Sequence, residues 1–461
     1  MNPMCNPLFI GRVLKWYLKD LSILRQTNHE KLLRHQNSSF KKMVEYAYTI
    51  PLYKEKYSTA GIHPHDIQGL EDIKKLPFIT KDDLKQNFPT RVIPPSFQTE
   101  SAIITATSGT TGRALSLYSD LLTVIRSMLG FRRALQTHGI PWQKTRMSLL
   151  LDLSENSFEN EYFLQSILST MRHVLPLKQI QILDILSTPN TLIEQINKFK
   201  PEVILGYPFV LMRLATLKAR GFGENIALKW IGTSGAVFDQ YSRQYVQEVF
   251  QADLFDIYAA TESGIIAFEC TEGRYHVCSD MVFLECLKDD HDVPSGQPGS
   301  LVVTKLYGRG TPLLRYQGID DVVTMSKEGC HCGLAGDILQ GIHGRESHSI
   351  ILPDGTFALV SVFEQCIGKV LYETKVNKIQ RIQIVQHRTD AIELRILFDE
   401  QFREVGCSAE NTLSLLHHAL QERIGSQLQI RLVEVERFDE KAPYILSTVD
   451  RATILEKKYL V

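Results

Sequence analysis

The sequence predicts an α/β protein in which a large, multi-layer N-terminal domain with buried sheets precedes a small α+β domain. A chain of 461 residues exceeds what one hydrophobic core usually holds. Short apolar runs alternate with helix-length segments from about residue 101 to about residue 344, as in a largely buried sheet flanked by helices. After residue 344 hairpin-like runs replace this alternation. We therefore place the domains at residues 1–344 and 345–461.

Individual elements follow from local patterns. The first hundred residues alternate amphipathic helical segments, such as 29–48, with turns that contain proline. Further along, short apolar runs predict strands, and the segments between some of them have the length and polarity of helices. The predicted strands are 146–153, 203–205, 229–232 and 254–258, and the predicted helices are 191–199 and 240–250.

The C-terminal region has its own pattern. Residues 350–352 and 356–360 flank the turn sequence Pro353, Asp354, Gly355, which is typical of a hairpin. Two more strands, a helix and a last strand complete a unit of the size of an independent domain. They are predicted at 379–387, 391–398, 409–424 and 429–435.

The charge balance limits the classes of partner. With 51 basic and 52 acidic residues the chain has no net field to attract nucleic acid or anionic lipid, although local patches are compatible with these totals. No nucleic-acid or membrane partner is expected. The first twenty residues lack a long apolar segment and a small-residue cleavage site, and no stretch approaches the roughly 20 apolar residues that cross a bilayer. A cytoplasmic location is the expectation.

A run of hydroxyl and glycine residues after 101–106 is a candidate for binding phosphate. Glycines let the backbone turn with its N–H groups exposed, hydroxyls add donors, and a cation complements negative charge. The order differs from the common G-x-x-x-x-G-K-[ST] loop, because the cation closes the run and a strand follows. A surface turn is the alternative, since the same residues dominate loops. The run is Thr107, Ser108, Gly109, Thr110, Thr111, Gly112, Arg113.

Three further motifs come directly after predicted strands. Ligands of buried α/β sheets bind beyond the carboxyl ends of strands, so these motifs are candidates for one site. They are Gly206, Tyr207, Pro208 after the strand at 203–205, Thr233, Ser234, Gly235 after the strand at 229–232, and 258–262 at the end of the strand at 254–258.

Four of the eight cysteines form two short clusters, which suggest a metal. Three thiolates and one imidazole satisfy tetrahedral Zn²⁺, and a site closed by protein ligands is structural rather than catalytic. Reduced thiols in a core turn are the alternative, because C-x-C alone is weakly diagnostic. The ligand candidates are Cys270, His276, Cys330 and Cys332, with Cys278 and His331 as competitors.

Taken in order, these motifs resemble the adenylate-forming superfamily. The resemblance is closest to the branch of phenylacetate–coenzyme A ligases and adenylating proteins of capsular-polysaccharide biosynthesis, and it extends from about residue 49 to 451. It includes the early segments 51–57 and 76–81. The resemblance implies a small C-terminal domain that rotates between an adenylating and a transferring pose. It also favours Cys270, His276, Cys330 and Cys332 as the zinc ligands.

The resemblance implies a role for each nucleotide-site motif. The loop 108–113 would hold the β- and γ-phosphates of ATP, with Arg113 in place of the usual lysine. Tyr258 would stack near adenine, Thr261 would contact the α-phosphate and Glu262 would bind Mg²⁺. The loops at Gly206 and Tyr207 and at Ser234 and Gly235 would flank the acyl substrate and the adenine. Tyr207 either lines the acyl pocket or packs against the sheet.

Three later residues complete the implied site. Asp320 would accept hydrogen bonds from the ribose hydroxyls, with the adjacent Asp321 as the alternative. Arg345 would begin the hinge, where Ser347 replaces an aspartate of the family pattern. Lys441 would be the catalytic lysine that stabilises charge as pyrophosphate leaves.

The expected activity is ATP-dependent activation of an aryl or acyl carboxylic acid as an acyl-adenylate, with transfer to coenzyme A. The expected cofactors are ATP, Mg²⁺ and a structural Zn²⁺. One alternative is an adenylating protein of surface-polysaccharide biosynthesis that passes the acyl group to an amine, sugar or carrier protein. The other is a zinc-stapled interaction protein without activity, which is motivated by the departures from the family pattern at Arg113, Ala236, Ile319 and Ser347. A homodimer is compatible with either.

Overall fold

The computed structural model describes residues 7–19, 22–25, 29–106, 115–155, 157, 159–160, 177–425, 428–439, 442–451 and 457–461. Short 3-10 turns also occur in this part of the chain. No helix among the described residues combines the length and the apolar composition needed to cross a bilayer. The α-helices in these ranges are α1 (Pro7–Lys19), α2 (Ser22–Arg25), α3 (His29–Ala47), α4 (Pro51–Thr59), α5 (Lys81–Asn87), α6 (Leu121–Thr137), α7 (Pro189–Phe199), α8 (Pro208–Ala219), α9 (Gln240–Phe250), α10 (Val360–Thr374) and α11 (Ala409–Ile424).

Strands dominate the middle of the chain. Those before the long helix-free stretch are β1 (Ile103–Ala106), β2 (Ser116–Ser119), β3 (Met147–Leu151), β4 (Ile180–Asp184), β5 (Val203–Gly206), β6 (Trp230–Ser234) and β7 (Asp253–Ala260). That stretch contains β8 (Gly264–Glu269), β9 (Tyr275–Val277), β10 (Val282–Lys288), β11 (His291–Asp292), β12 (Pro298–Lys305), β13 (Asp321–Ser326) and β14 (Ile338–Arg345). The strands of the C-terminal region are β15 (Ser349–Ile351), β16 (Thr356–Leu359), β17 (Ile379–Arg388), β18 (Ala391–Phe398), β19 (Gln429–Glu434), β20 (Ile445–Ser447) and β21 (Lys458–Leu460).

One 12-stranded sheet forms the body of the large domain, in the order β11-β10-β12-β13-β14-β9-β8-β7-β6-β5-β3-β4. The strands from β7 to β4 pair in parallel, as the alternation of the sequence predicts, and helices α7, α8 and α9 connect β4, β5, β6 and β7. The strands from β7 to β11 pair antiparallel. Sequence alternation did not predict this second half, because its strands are joined by short turns and loops instead of helices.

The elements that were predicted from local patterns are present. The helices at 240–250 and 409–424 match α9 and α11, and the strand at 391–398 matches β18. The predicted hairpin is β15 paired antiparallel with β16. The other predicted strands differ from the observed ones by up to two residues at either end, which is the usual uncertainty of boundaries.

A buried ion pair fixes helix α6 to the large sheet. The Asp280 carboxylate lies 2.7 Å and 3.0 Å from two nitrogens of Arg133 and 2.8 Å from Arg126 Nη2. The side chains of Asp280 and Arg133 are fully buried. Burial disfavours the charged carboxylate, but the two guanidinium groups outweigh that effect and lower the pKa of Asp280. Gly130 of α6 also packs tightly on β8, because a Cβ there would lie 2.3 Å from Ile265.

The C-terminal region has a separate four-stranded sheet in the order β19-β18-β17-β20, with α10 and α11 packed together beside it. A small sheet of β15, β16 and β21 adjoins it. Helix α10 packs on α9 of the large domain. Arg213 and Asp399 form an ion pair across this interface, and Tyr245 donates a hydrogen bond to the Lys375 carbonyl at 3.0 Å. The exact boundary at residue 344 stays a prediction.

We expect Asp280→Asn to lower the free energy of unfolding by about 3–5 kcal/mol, because two buried guanidinium groups lose their counter-charge. Urea denaturation measures the loss. Asp292→Asn is the matched control, since Asp292 pairs with Lys74 on the exposed surface and should cost a small fraction of that amount. Equal losses in the two variants would contradict the role assigned to Asp280.

Candidate functional site

Three strand-end motifs lie side by side at the carboxyl edge of the parallel half of the sheet. Gly206 pairs with Thr233, and Ser234 pairs with Ile257. Ser234 Oγ also donates a hydrogen bond to the Ile257 carbonyl at 2.7 Å. Gly206 is required there, because a Cβ at this position would lie 2.8 Å from the Leu150 side chain. The structure therefore brings together the motifs after β5, β6 and β7.

Tyr207 lies between the second of these motifs and the loop that follows β3. A Cβ on Gly235, whose φ is +87°, would lie 2.5 Å from the Tyr207 ring. The Tyr207 hydroxyl donates to the Glu159 carboxylate. Burial, together with the Glu159 charge, raises the pKa of Tyr207. The ring thus packs over the sheet edge, and its role in an acyl pocket stays a prediction.

Tyr258 connects the two halves of the site. It lies near the end of β7, and its hydroxyl donates to Asp321 Oδ2 at 2.5 Å. Asp321 begins β13 and pairs across the strands with Arg345 at the end of β14. Burial raises the pKa of Asp321 to about 6, although the hydrogen bond from Tyr258 opposes the shift. The predicted adenine residue Tyr258, the alternative ribose ligand Asp321 and the hinge residue Arg345 therefore meet in one place.

An opening in the large sheet makes this meeting possible. β13 and β7 are not neighbours, since β14, β9 and β8 lie between them. β14 and β9 pair over only two positions, Ile338 with His276 and Leu339 with Tyr275. Beyond this short contact β14 continues to Arg345 without pairing to β9, and the Tyr258 hydroxyl reaches Asp321 across the gap.

Asp320 points into a different set of bonds from Asp321. Its carboxylate accepts hydrogen bonds from the Ser347 N–H at 3.2 Å and from the Ser347 hydroxyl. Its backbone has φ +68°, in the left-handed region that aspartate tolerates better than most residues. Burial raises the pKa of Asp320, and the bonds from Ser347 oppose the shift. The serine that departs from the family hinge pattern is therefore the partner of the predicted ribose ligand.

Thr261 and Glu262 lie in the tight turn between β7 and β8. The Glu262 side chain is only 8% exposed, and one of its oxygens lies 3.8 Å from Lys81 Nζ. Sequence reasoning missed Lys81 as a site residue, although it lies in the segment 76–81 that supports the family resemblance. It also missed Glu159, for which the sequence offers no comparable signal.

A buried polar network beneath the site holds strands β6 to β9 in register. Asp256 accepts hydrogen bonds from Thr233 Oγ1 at 2.5 Å and from the Tyr275 hydroxyl at 2.7 Å. Its N–H donates to Glu269 at 2.9 Å, and Glu269 is held by two bonds from Arg243 Nη2. Burial raises the pKa of Asp256. These contacts fix the directions in which the strand ends point.

Two predicted parts of the site lie outside the described residues. They are the phosphate loop, Thr107, Ser108, Gly109, Thr110, Thr111, Gly112 and Arg113, and the predicted catalytic Lys441. The residues that flank Lys441 are anchored on β17. Arg381 donates hydrogen bonds to the carbonyls of Asp439 and Ala442, the latter at 2.5 Å. Gln383 donates to the Pro443 carbonyl at 3.1 Å.

Acidic side chains from both domains meet near the same segment. Asp239 caps α9 by accepting bonds from two N–H groups, and a Cβ on Gly368 of α10 would lie 2.0 Å from its carboxylate. Glu364 lies one turn earlier on α10, next to Tyr444. Loss of solvation, with a smaller effect of the Asp239 charge, raises the pKa of Glu364 from 4.5 to about 7. The protonated form of Glu364 is therefore more favoured in the folded protein than in a solvated glutamate.

Cys270, His276, Cys330 and Cys332 form a separate cluster whose ligand atoms all lie within 4.8 Å of one another. Cys270 Sγ and Cys330 Sγ are 3.7 Å apart, and Cys332 Sγ lies 3.2 Å from His276 Nε2. A disulfide needs about 2.05 Å. Tetrahedral bonds of about 2.3 Å from Zn²⁺ to sulfur place two sulfurs about 3.8 Å apart. The donor set and its spacing therefore fit zinc.

The cluster joins two parts of the chain that are distant in sequence. Cys270 and His276 belong to the β8–β9 hairpin, whereas the other two cysteines lie in the loop between β13 and β14. Burial, with a smaller effect of Arg274, lowers the pKa of His276 to about 4, so the imidazole is neutral. Among the described residues, the competing ligands Cys278 and His331 are not part of this four-residue group.

The chain resembles known proteins in sequence over most of its length. No protein-family model matches the chain. The phenylacetate-coenzyme A ligase of Thermus thermophilus is 26% identical over 427 residues, which cover 87% of this chain and 90% of that ligase. The chain is a relative of the phenylacetate–coenzyme A ligases. Protein CapK of Staphylococcus aureus is also 26% identical, over 69% of this chain and 68% of CapK.

The chain has the fold of adenylate-forming enzymes. A crystal structure of 2-hydroxyisobutyryl-CoA ligase in the postadenylation state superposes with a TM-score of 0.71 and 18% sequence identity. The match covers 90% of this chain and 89% of that ligase. The predicted α/β fold class is therefore confirmed.

We expect Glu364→Gln to flatten the dependence of stability on pH. Because the pKa of Glu364 is higher in the folded than in the unfolded chain, its contribution is fully present below pH 4.5 and is lost as pH rises to about 7. Urea denaturation at a series of pH values measures the slope. The exposed Glu436→Gln is the control. An unchanged slope in Glu364→Gln would refute the assignment.

Proposed function

We propose that the protein activates a carboxylic acid with ATP and transfers the acyl group to coenzyme A, with AMP as the second product. The observation that carries this proposal is the contact of Tyr258 with Asp321, beside Arg345 and Asp320. This contact brings together residues of motifs that are far apart in the sequence and that the family resemblance assigns to one nucleotide site. The similarity to phenylacetate–coenzyme A ligases over most of both chains supports the same activity.

The first step would form an acyl-adenylate. A carboxylate oxygen of the acid attacks the α-phosphorus of ATP, and the bond to the bridging oxygen breaks to release pyrophosphate. The ring of Tyr258 would lie against adenine, Asp320 would accept bonds from the ribose hydroxyls, and Thr261 would donate to the α-phosphate. The loop 108–113 would bind the β- and γ-phosphates. Lys441 would stabilise the charge that moves toward pyrophosphate.

Glu262 is the residue that fits Mg²⁺. Its carboxylate is a hard oxygen ligand, it is nearly buried, and it lies in the turn beside the predicted α-phosphate contact. Bound Mg²⁺ would offset the charge of the phosphate oxygens during transfer. Lys81, 3.8 Å away, adds a positive charge beside the carboxylate.

The second step would pass the acyl group to the thiol of coenzyme A. The thiolate attacks the carbonyl carbon, and the bond to the phosphate oxygen of AMP breaks, so that a thioester and AMP leave. Mixed anhydrides make the acyl group reactive without a nucleophilic side chain. Gly206, Tyr207, Ser234 and Gly235 would flank the acyl group. An amine, sugar or carrier protein is the alternative acceptor, which the assay below distinguishes.

We assign the cluster of three cysteines and His276 to a structural zinc. All four positions of a tetrahedral ion would be filled by protein ligands, which leaves none for substrate. The ion would fasten the β8–β9 hairpin to the loop between β13 and β14. Because β13 carries Asp321 and β7 leads into β8, this fastening would support the opening that contains the site.

Pyrophosphate exchange tests the proposed activity. We expect the wild type to incorporate labelled pyrophosphate into ATP with at least one acid of an aryl, acyl and amino acid panel. With that acid, thioester should form only when coenzyme A is added. Glu262→Gln should reduce exchange by at least about a hundredfold, because it removes a charge at nearly constant volume.

Glu272→Gln, on an exposed turn after β8, is the matched control and should exchange at the wild-type rate. Absence of ATP binding and of exchange with every acid would favour the interaction protein without activity. Exchange without thioester would instead point to another acceptor.

We expect about one zinc per chain in purified protein, and none in Cys332→Ser, because loss of one thiolate opens the site. The variant should also melt at a lower temperature, since metal binding contributes to folding. Cys407→Ser, far from the cluster, is the control. Wild-type protein that contains no metal and melts at the same temperature as Cys332→Ser would sink the zinc assignment.

A further inference from the structure

The exposed side of helix α1 carries an unusual concentration of large apolar side chains. Leu8 and Leu18 are 77% and 70% exposed, and Ile10 and Leu14 are 44% and 52% exposed. These four residues lie within 13 positions of the chain. Single exposed leucines such as Leu8 are ordinary, but Ile10, Leu14 and Leu18 share one face of the helix, and such a group marks a surface that binds something.

The residues of α1 separate into three faces. Phe9, Val13 and Trp16 recur at helical spacing on the face that packs on the protein, where Phe9 is buried and the other two are half-buried. Ile10, Leu14 and Leu18 recur at i, i+4 and i+8 on the exposed apolar face. Arg12 and Lys15 are exposed on the remaining face. The helix contains no acidic residue.

Helix α1 is held firmly in place by its inner face. Arg132 of α6 lies 3.9 Å from the centre of the Tyr17 ring and donates to the Tyr17 carbonyl at 3.0 Å. Gln143 donates to the Tyr17 hydroxyl at 2.9 Å, and Arg126 lies 5.6 Å from the centre of the Trp16 ring. These contacts fix the orientation of α1, so that its apolar and basic faces stay exposed to solvent.

Charge decides which partner suits this surface. A second copy of α1 would cover Ile10, Leu14 and Leu18 but would offer no opposite charge to Arg12 and Lys15, because the helix contains no acidic residue. An apolar face beside a basic face instead fits the boundary between the acyl chains and the acidic headgroups of a bilayer. The near-zero net charge of the whole chain conceals this local distribution.

We propose that α1 binds the protein to the surface of membranes that contain anionic phospholipids. Ile10, Leu14 and Leu18 would enter the acyl boundary while Arg12 and Lys15 contact the headgroups. This binding is peripheral. It differs from the expectation of no membrane partner, and it does not depend on the proposed activity.

Vesicle flotation tests the proposal with full-length protein. We expect binding to vesicles of phosphatidylcholine and phosphatidylglycerol, weaker binding to phosphatidylcholine alone, and release at high salt. Replacing Arg12 and Lys15 together by glutamine should lower the partition coefficient about 25-fold, since each basic residue near an anionic surface contributes about fivefold. Leu18→Ser should lower it about tenfold or more.

Leu186→Ser is the matched control, because Leu186 is 69% exposed at a different place on the surface and should bind vesicles as the wild type does. Thermal melting should be the same for all variants, since every substituted side chain is exposed. Failure to bind anionic vesicles would overturn the proposal, as would equal binding to both lipid mixtures. A dimer in solution that Leu14→Ser dissociates, without vesicle binding, would assign the face to a second copy instead.

Discussion

The large domain depends on one carboxylate that has been removed from water, Asp280. Its charge is tolerable only because Arg126 and Arg133 surround it, so the position of helix α6 is fixed by electrostatics as well as by packing. Side chains of helix α3 bind the main chain of the loop that contains Asp280. Gln36 donates to the Ser279 carbonyl at 2.8 Å, and His35 Nε2 lies 3.2 Å from the Asp280 carbonyl. Helix α6 in turn supports α1 and covers β8. Layers that are distant in sequence are thereby joined at a single point.

The site depends on the change of strand direction at β7. Parallel strands on one side end at the same edge and bring their glycine and hydroxyl residues together, whereas the antiparallel side returns the chain in a tight turn that contains Thr261 and Glu262. The hydrogen bond from Tyr258 to Asp321 spans the opening between the parallel and antiparallel halves of the sheet. The thiol and imidazole cluster lies near the same opening, because His276 belongs to the short β9 strand that bridges it.

Local patterns in the sequence predicted the parallel strands other than β4, together with helices α3, α7, α9 and α11, because apolar spacing and turn residues encode these elements directly. They did not predict the antiparallel half, in which loops between β8 and β14 lack helices to mark the strands. The four metal-ligand candidates were identified from donor chemistry, and their closeness required the structure. Lys81 and Glu159 were missed since their partners, Glu262 and Tyr207, are far away in the chain. Only tertiary folding creates such contacts, and no local pattern records them.

The pairing of β7 with β8 shifts register between Tyr258 and Ala259. Side chains alternate between the faces of a strand, so adding or deleting one residue between Tyr258 and the end of β7 would reverse the face from which the chain enters the turn of Thr261 and Glu262. A substitution in the turn can change the chemistry of a side chain and keep the backbone geometry. An insertion or deletion changes the geometry itself. The number of residues between Tyr258 and Glu262 is therefore more strictly constrained than the identity of the residues between them. Relatives should keep this number even where the intervening residues differ.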